Sequence, residues 1–138
     1  MDLYNFTPEL AYLPPVVAID FDGKIVESNY PNIGDLKPYA RIALKNIKKA
    51  GWTMILNTCR SNKKLEEARL FLAQHDIYFD YYNENDPNRI EFFDHDSRKI
   101  GADIYIDDRH LFGGDIGWRK IEEKLLSIFD ARIPNKQQ

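Results

Sequence analysis

The chain has 138 residues, 43% hydrophobic and 30% charged, with a formal net charge of −3. That length and mixture fit one ordinary domain with a real core and no second domain. The acidic balance argues against a surface built to coat nucleic acid, and the single cysteine, Cys59, excludes an intramolecular disulfide and a cysteine-rich zinc site.

Met1 to Leu13 carries Asp2 and Glu9 but no Lys or Arg, and so lacks the basic region of a secretory signal. No apolar run reaches the length of a membrane span. With the lone cysteine, this gives a cytoplasmic expectation. The organisation expected is one domain over 1–138, with a leader over 1–15, a core from about 16 to 130 and a polar tail over 134–138.

After Pro14 and Pro15, the run Val16 to Ile19 ends in Asp20-Phe21-Asp22-Gly23. An apolar run that stops at carboxylates and a glycine reads as a buried parallel strand delivering functional groups to the carboxyl edge of a sheet. Lys24 to Leu36 mixes Ser, Asn, Pro and Gly and reads as an irregular flap. A helix is predicted from about Pro38 to Ala50, with Ile42, Ala43, Ile47 and Ala50 as its apolar stripe and Gly51 as its stop.

Trp52 to Asn57 is the next strand, ending at Thr58-Cys59-Arg60. A helix capped by Ser61 or Asn62 follows to about His75, burying Leu65, Ala68, Phe71 and Leu72. Ile77 to Tyr82 reads as a third strand, broken by Asn85-Asp86-Pro87-Asn88, and the stretch from there to Gly101 is ambiguous. The run Asp103 to Ile106 ends in Asp107-Asp108, and a Gly113-Gly114 turn leads to a last helix over about Trp118 to Phe129. Strands alternating with helices imply right-handed crossovers and a three-layer α/β, Rossmann-like fold with a mostly parallel central sheet.

The strand ends thus supply Asp20 and Asp22, then Thr58 with Arg60, then Asp107 and Asp108. Lys99 lies just before the last strand and is the only lysine between Lys64 and Lys120. Four carboxylates around one point repel one another unless a cation sits among them, which suggests a Mg2+ site.

This ordered set resembles the four motifs of the haloacid dehalogenase-like (HAD) superfamily over about Val16 to Leu126. The resemblance implies a Mg2+-dependent phosphomonoester hydrolase acting through an aspartyl-phosphate. Asp20 would be the nucleophile and a metal ligand, and Asp22 the general acid and base, with its backbone carbonyl on the metal. Asp107 and Asp108 would complete the Mg2+ site, and Thr58 and Lys99 would bind the transferring oxygens.

Lys24 departs from the pattern, which usually has threonine after the glycine. A lysine there would hold Asp22 ionised or reach a substrate phosphate. Arg60 and Arg109 are further candidate substrate contacts, each against the plainer reading of a surface arginine, and pairing with the acidic cluster is a further reading for Arg60. Cys59 is no cysteine-phosphatase nucleophile, because the position six residues on is Leu65, and it reads as a small buried or semi-buried residue. Asn83-Glu84-Asn85 ends the third strand, where it would either line the same rim or, as the sheet-edge position favours, serve as loop chemistry.

A catalytically weak or silent phospholigand-binding module and a phosphotransferase remain alternatives, since the motifs do not encode the acceptor. A signalling receiver domain fits poorly, because it would carry its acidic pair on the first strand. The spacing between motifs leaves no room for a cap domain, so this resembles a capless member. An open site suits a bulky phosphorylated substrate or a lid from another subunit in a homo-oligomer; a nucleic-acid end is disfavoured by the charge, and no membrane partner is expected.

Overall fold

The computed structural model describes residues 13–112 and 114–132. The expected leader lies largely outside them, as do the expected tail and Gly113 of the glycine turn. Four strands, β1 (Val16–Ile19), β2 (Thr53–Leu56), β3 (Tyr81–Tyr82) and β4 (Ile104–Ile106), alternate with four helices, α1 (Ala40–Ala50), α2 (Asn62–Gln74), α3 (Pro87–Phe93) and α4 (Trp118–Arg132). The strands form one sheet in the order β3-β2-β1-β4, and every pairing is parallel. This is the three-layer, Rossmann-like α/β architecture that the alternation of elements implies.

All of β1 is buried, so its sequence shows no alternation between core and solvent faces. Val17 and Ile19, with Met54 and Leu56 of β2, join buried residues of α1, α2 and α4 in one apolar core. Winding runs from β1 through β2 to β3, then returns to place β4 on the far side of β1. Right-handed crossovers put the β3 to β4 connection, with α3, on the opposite face. The reversal at β1 opens a crevice outside the carboxyl ends of β1 and β4, where ligands of such sheets bind.

Several local expectations shift. The buried stripe of α1 is Ala40, Ala43, Leu44 and Ile47, while Ile42 is 48% exposed. Spacing alone allowed either stripe, and packing against the sheet and α4 selects the one that excludes Ile42. Gly51 ends α1 with φ +118°, and a Cβ there would stand 2.7 Å from the Phe129 ring. The third strand is shorter than expected because the Phe79 N–H donates to the Tyr82 hydroxyl (3.1 Å), and the ladder with β2 begins at Tyr81. The ambiguous stretch holds α3, which starts on Pro87 with Asp86 accepting from the Asn88 N–H (3.0 Å). Among the described residues no helix is long and apolar enough to cross a membrane.

Candidate functional site

The carboxyl ends of β1, β2 and β4 open into a cavity of about 630 Å3 lined by Asp20, Asp22, Ser28, Tyr30, Asn57, Thr58, Cys59, Arg60, Asp107, Asp108 and Arg109. Seven of the nine expected site residues are therefore here; Lys24 and Lys99 are not. Asp20 sits one residue past β1, fixed by its N–H to the Ile106 carbonyl (2.9 Å), while its Oδ1 accepts from the Phe21 N–H (2.8 Å). Carboxylate oxygens of Asp20, Asp107 and Asp108 all lie within 4.8 Å of one another.

The turn that follows β1 explains how the acids come so close. Gly23 has φ +81°, and a Cβ there would land on Asp108 Oδ2, so only glycine lets the two loops meet. From the other side, a Cβ on Gly114 would stand 2.7 Å from the Asp107 carbonyl oxygen. Asp107 Oδ1 accepts from the Arg109 N–H (2.9 Å), which sets the start of the loop.

The electrostatics of the cluster are unbalanced. Burial, a hydrogen bond with Asp108 and the nearby charges of Asp107 and Asp108 push Asp20 up to about 7, against the pull of the Phe21 N–H. Asp108 moves the other way: burial raises it, but hydrogen bonds with Asp20 and Asp107 and the charge of Arg109 outweigh that and hold it below the usual range. Burial and crowding thus disfavour charge on Asp20. Three hard oxygen donors around a point are what a small divalent cation such as Mg2+ takes, and its charge would offset that crowding. The residues fit such an ion.

Asp22 is placed differently from its neighbour. Arg60, whose side chain is fully buried, donates from Nε to Asp22 Oδ2 (2.7 Å) and from Nη2 to Oδ1 (2.8 Å). The same guanidinium donates to the carbonyls of Asn32 (3.0 Å) and Pro31 (3.4 Å), pinning the flap. The bidentate pair with Asp22 and burial, opposing each other, leave the Arg60 guanidinium above its ordinary value. Arg60 is therefore neither a surface arginine nor free for a substrate.

Lys24 is corrected as a substrate contact. It is 4% exposed, its ammonium donates to the Gly114 carbonyl and to that of Ile116 (3.3 Å), and its own carbonyl accepts from Trp118 Nε1 (2.9 Å). Burial, then the nearby Lys37, lowers its pKa. It ties the 114–116 segment behind the acidic pair.

Lys99 is also corrected as a phosphate ligand. It precedes β4 and so stands toward the strand's amino end, exposed, with Nζ 4.9 Å from the centre of the Tyr105 ring. Asn85 holds this loop through Asp96, Ser97 and the Gly101 N–H, away from the cavity. The cation that does reach the rim is Arg109, which is exposed.

Thr58 lines the cavity, and its Oγ1 accepts from the Arg60 N–H (3.1 Å). The turn is bracketed by Asn83 at the end of β3. Asn83 Oδ1 accepts from the Thr58 N–H (2.8 Å), and its Nδ2 donates to the Arg60 carbonyl (2.9 Å). Sequence reading took Asn83 as loop chemistry and missed this role; an amide at the strand end beside a Thr-x-Arg turn was the available signal. Cys59, expected to be buried or half-buried, is exposed in the same turn because Thr58 and Arg60 take the inward positions.

The fold and this edge define a Rossmann-like α/β protein with a three-aspartate cluster at the switch point of its sheet. No protein-family model matches the chain, and no curated protein matches it. Among solved structures, that of a conserved protein from Bacteroides thetaiotaomicron is 35% identical and superposes with a TM-score of 0.72, covering 81% of this chain and 89% of that one. The chain belongs to the same family as that Bacteroides protein.

Proposed function

We propose that the protein is a Mg2+-dependent phosphomonoester hydrolase of the HAD-like type, with Asp20 as nucleophile. The observation that carries this is the convergence of Asp20, Asp107 and Asp108 at the switch point, in a cavity that also holds Thr58 and Arg109. The order of these residues along the chain supports the same reading, by its resemblance to the motifs of that superfamily.

In this reading the Asp20 carboxylate attacks phosphorus, the bond from phosphorus to the ester oxygen breaks, and the leaving group departs with its electron pair and takes up a proton. Water then attacks the phosphoryl group on Asp20, releasing phosphate and restoring the carboxylate. A divalent cation held by Asp20, Asp107 and Asp108 would supply the positive charge that lets an anionic nucleophile approach an anionic phosphoryl group. Thr58 Oγ1 and the Arg109 guanidinium would bind phosphoryl oxygens in this reading, with Arg109 taking the role expected of Lys99. Asp22, gripped through both oxygens by Arg60, would pass a proton to the leaving oxygen and take one from the attacking water only as that grip loosens.

The test is phosphate release from a panel of phosphomonoesters with and without Mg2+. Native protein is expected to turn over only with metal, and Asp20→Asn to lose at least about 1,000-fold in rate while keeping its fold. Equal activity in Asp20→Asn defeats the mechanism. The Arg60 pair with Asp22 favours a second reading, a phospholigand-binding module with little turnover. It would show phosphate binding with Mg2+ and no release from any ester.

A further inference from the structure

Tyr30 stands at the mouth of the cavity, 61% exposed, and lines it together with Asp20 and Asp22. Other exposed aromatic side chains, such as Phe92, Phe93 and Phe112, lie outside that lining. Tyr30 also differs from them in how it is held. The Arg60 guanidinium lies 5.0 Å from the centre of its ring and 5.4 Å from that of Phe21, and it donates to the carbonyls of the next two residues, Pro31 and Asn32.

The flap is fixed at its base as well, by the Glu27 N–H to the Asp35 carbonyl (2.8 Å) and the Lys37 N–H to the Ile25 carbonyl (2.9 Å). A buried arginine thus sets the inner face of an aromatic ring and the backbone beside it, while the rest of the ring is open to solvent. The Tyr30 hydroxyl makes no hydrogen bond among the described residues, so the exposed part of the ring and its hydroxyl are both open to a ligand.

An aromatic ring already fixed at a binding site stacks a planar group without a fresh ordering cost, and the guanidinium behind it reinforces its position. The cavity has the size of sites that take drug-sized ligands, so there is room for a group well beyond the phosphate.

Resting on the phosphomonoesterase reading above, we propose that this site takes phosphomonoesters that carry a planar aromatic group near the phosphate, and that Tyr30 is the platform on which that group stacks. The shared chemistry covers two sources. In an aryl phosphate the ring bears the ester oxygen, and in a nucleotide a sugar separates the base from the phosphate. A saturated leaving group of the same volume has no π-face to present to Tyr30.

The experiment measures affinities by calorimetry at saturating Mg2+ for two matched pairs of non-hydrolysable ligands. The first pair is phenylphosphonate and cyclohexylphosphonate; the second is the phosphonate analogues of adenosine 5′-monophosphate and ribose 5-phosphate. Native protein is expected to favour the planar member of one pair by about tenfold. The first pair would identify an aryl ester and the second a nucleotide. Tyr30→Phe should keep the ratio, and Tyr30→Leu should bring it to about one.

Equal affinities within both pairs in the native protein overturn the proposal without recourse to a variant. So does a planar preference that survives in Tyr30→Leu, which would reduce Tyr30 to a cover over Arg60. Failure of every phosphonate to bind overturns the phosphomonoesterase reading itself, and the proposal with it, an outcome distinct from equal binding.

Discussion

The two ends of the same short sheet handle buried charge in opposite ways. At the amino end, Asp103 and Arg89, each with a side chain only 6% exposed, form an ion pair (2.7 Å). Asp103 also accepts from the Val16 N–H (2.8 Å), and Arg89 donates to the Pro14 carbonyl (3.3 Å). At the carboxyl end, Asp20, Asp107 and Asp108 crowd together, and none of them has an ion pair with a lysine or arginine among the described residues. Of the nearby cations, Arg60 is committed to Asp22 and Lys24 to loop carbonyls, while Arg109 stands exposed at the rim. One end closes its charges within the chain, whereas the other leaves a deficit that an external cation would fill. The first is architecture, and the second has the character of a site.

Breaking the closed end should cost the most stability. Asp103→Ala leaves Arg89 buried without its carboxylate, a change of about 3–5 kcal/mol. In a domain of this size that corresponds to a fall in Tm of roughly 10 °C or more, measured by calorimetry. A fall under about 3 °C would show that the pair is not the closed charge described here.

Arg60 connects the carboxyl edge of the sheet to the flap, so its variants sharpen the contrast within the site. Arg60→Lys keeps the charge but loses the fork that grips both Asp22 oxygens and the flap carbonyls. Phosphate release should fall by about 10- to 100-fold, with part of the loss in kcat rather than KM. An unchanged kcat would remove Arg60 from the positioning of Asp22.

The smallest contrast is between two rim cations. Arg109→Ala should raise KM for phosphomonoesters by about tenfold, while Lys99→Ala should leave it within about twofold. The reverse ranking would restore Lys99 as the phosphate ligand and contradict its placement before β4.

Much of this arrangement was legible in the sequence. β1 is buried on both faces and reads as an unbroken apolar run, and β4, half-buried at the sheet's edge with Tyr105 exposed, still runs straight into its acids. Residues following parallel strands must gather at one edge, and that made Asp20, Asp107, Asp108 and Thr58 findable together. What escaped depends on side-chain direction. The sequence offered an Arg60 pair with the acids as one reading, but nothing local chooses it, says that Cys59 turns out, or says that Asn83 reaches back to the Thr58 turn. Lys24 follows two acids in sequence, yet its long stem carries the ammonium away behind them. Lys99 stood out because no other lysine was near, yet a residue just before a strand stands at its amino end, opposite the acids that follow it.

The central claim is that the open end is built to receive a divalent cation, and Tm as a function of Mg2+ and pH tests it most directly. Asp20 stands near 7 in the folded protein against 3.8 ordinarily, so the metal-free fold binds the extra proton between those values. That group's contribution to stability is favourable at low pH and is lost as pH rises through about 7. Mg2+ should therefore raise the Tm of native protein clearly at pH 8 and little at pH 5. Asp20→Asn should be the more stable of the two at pH 8 without metal, and should respond weakly to Mg2+. A native Tm indifferent to Mg2+ at pH 8, or a rise of equal size in Asp20→Asn, would contradict the account.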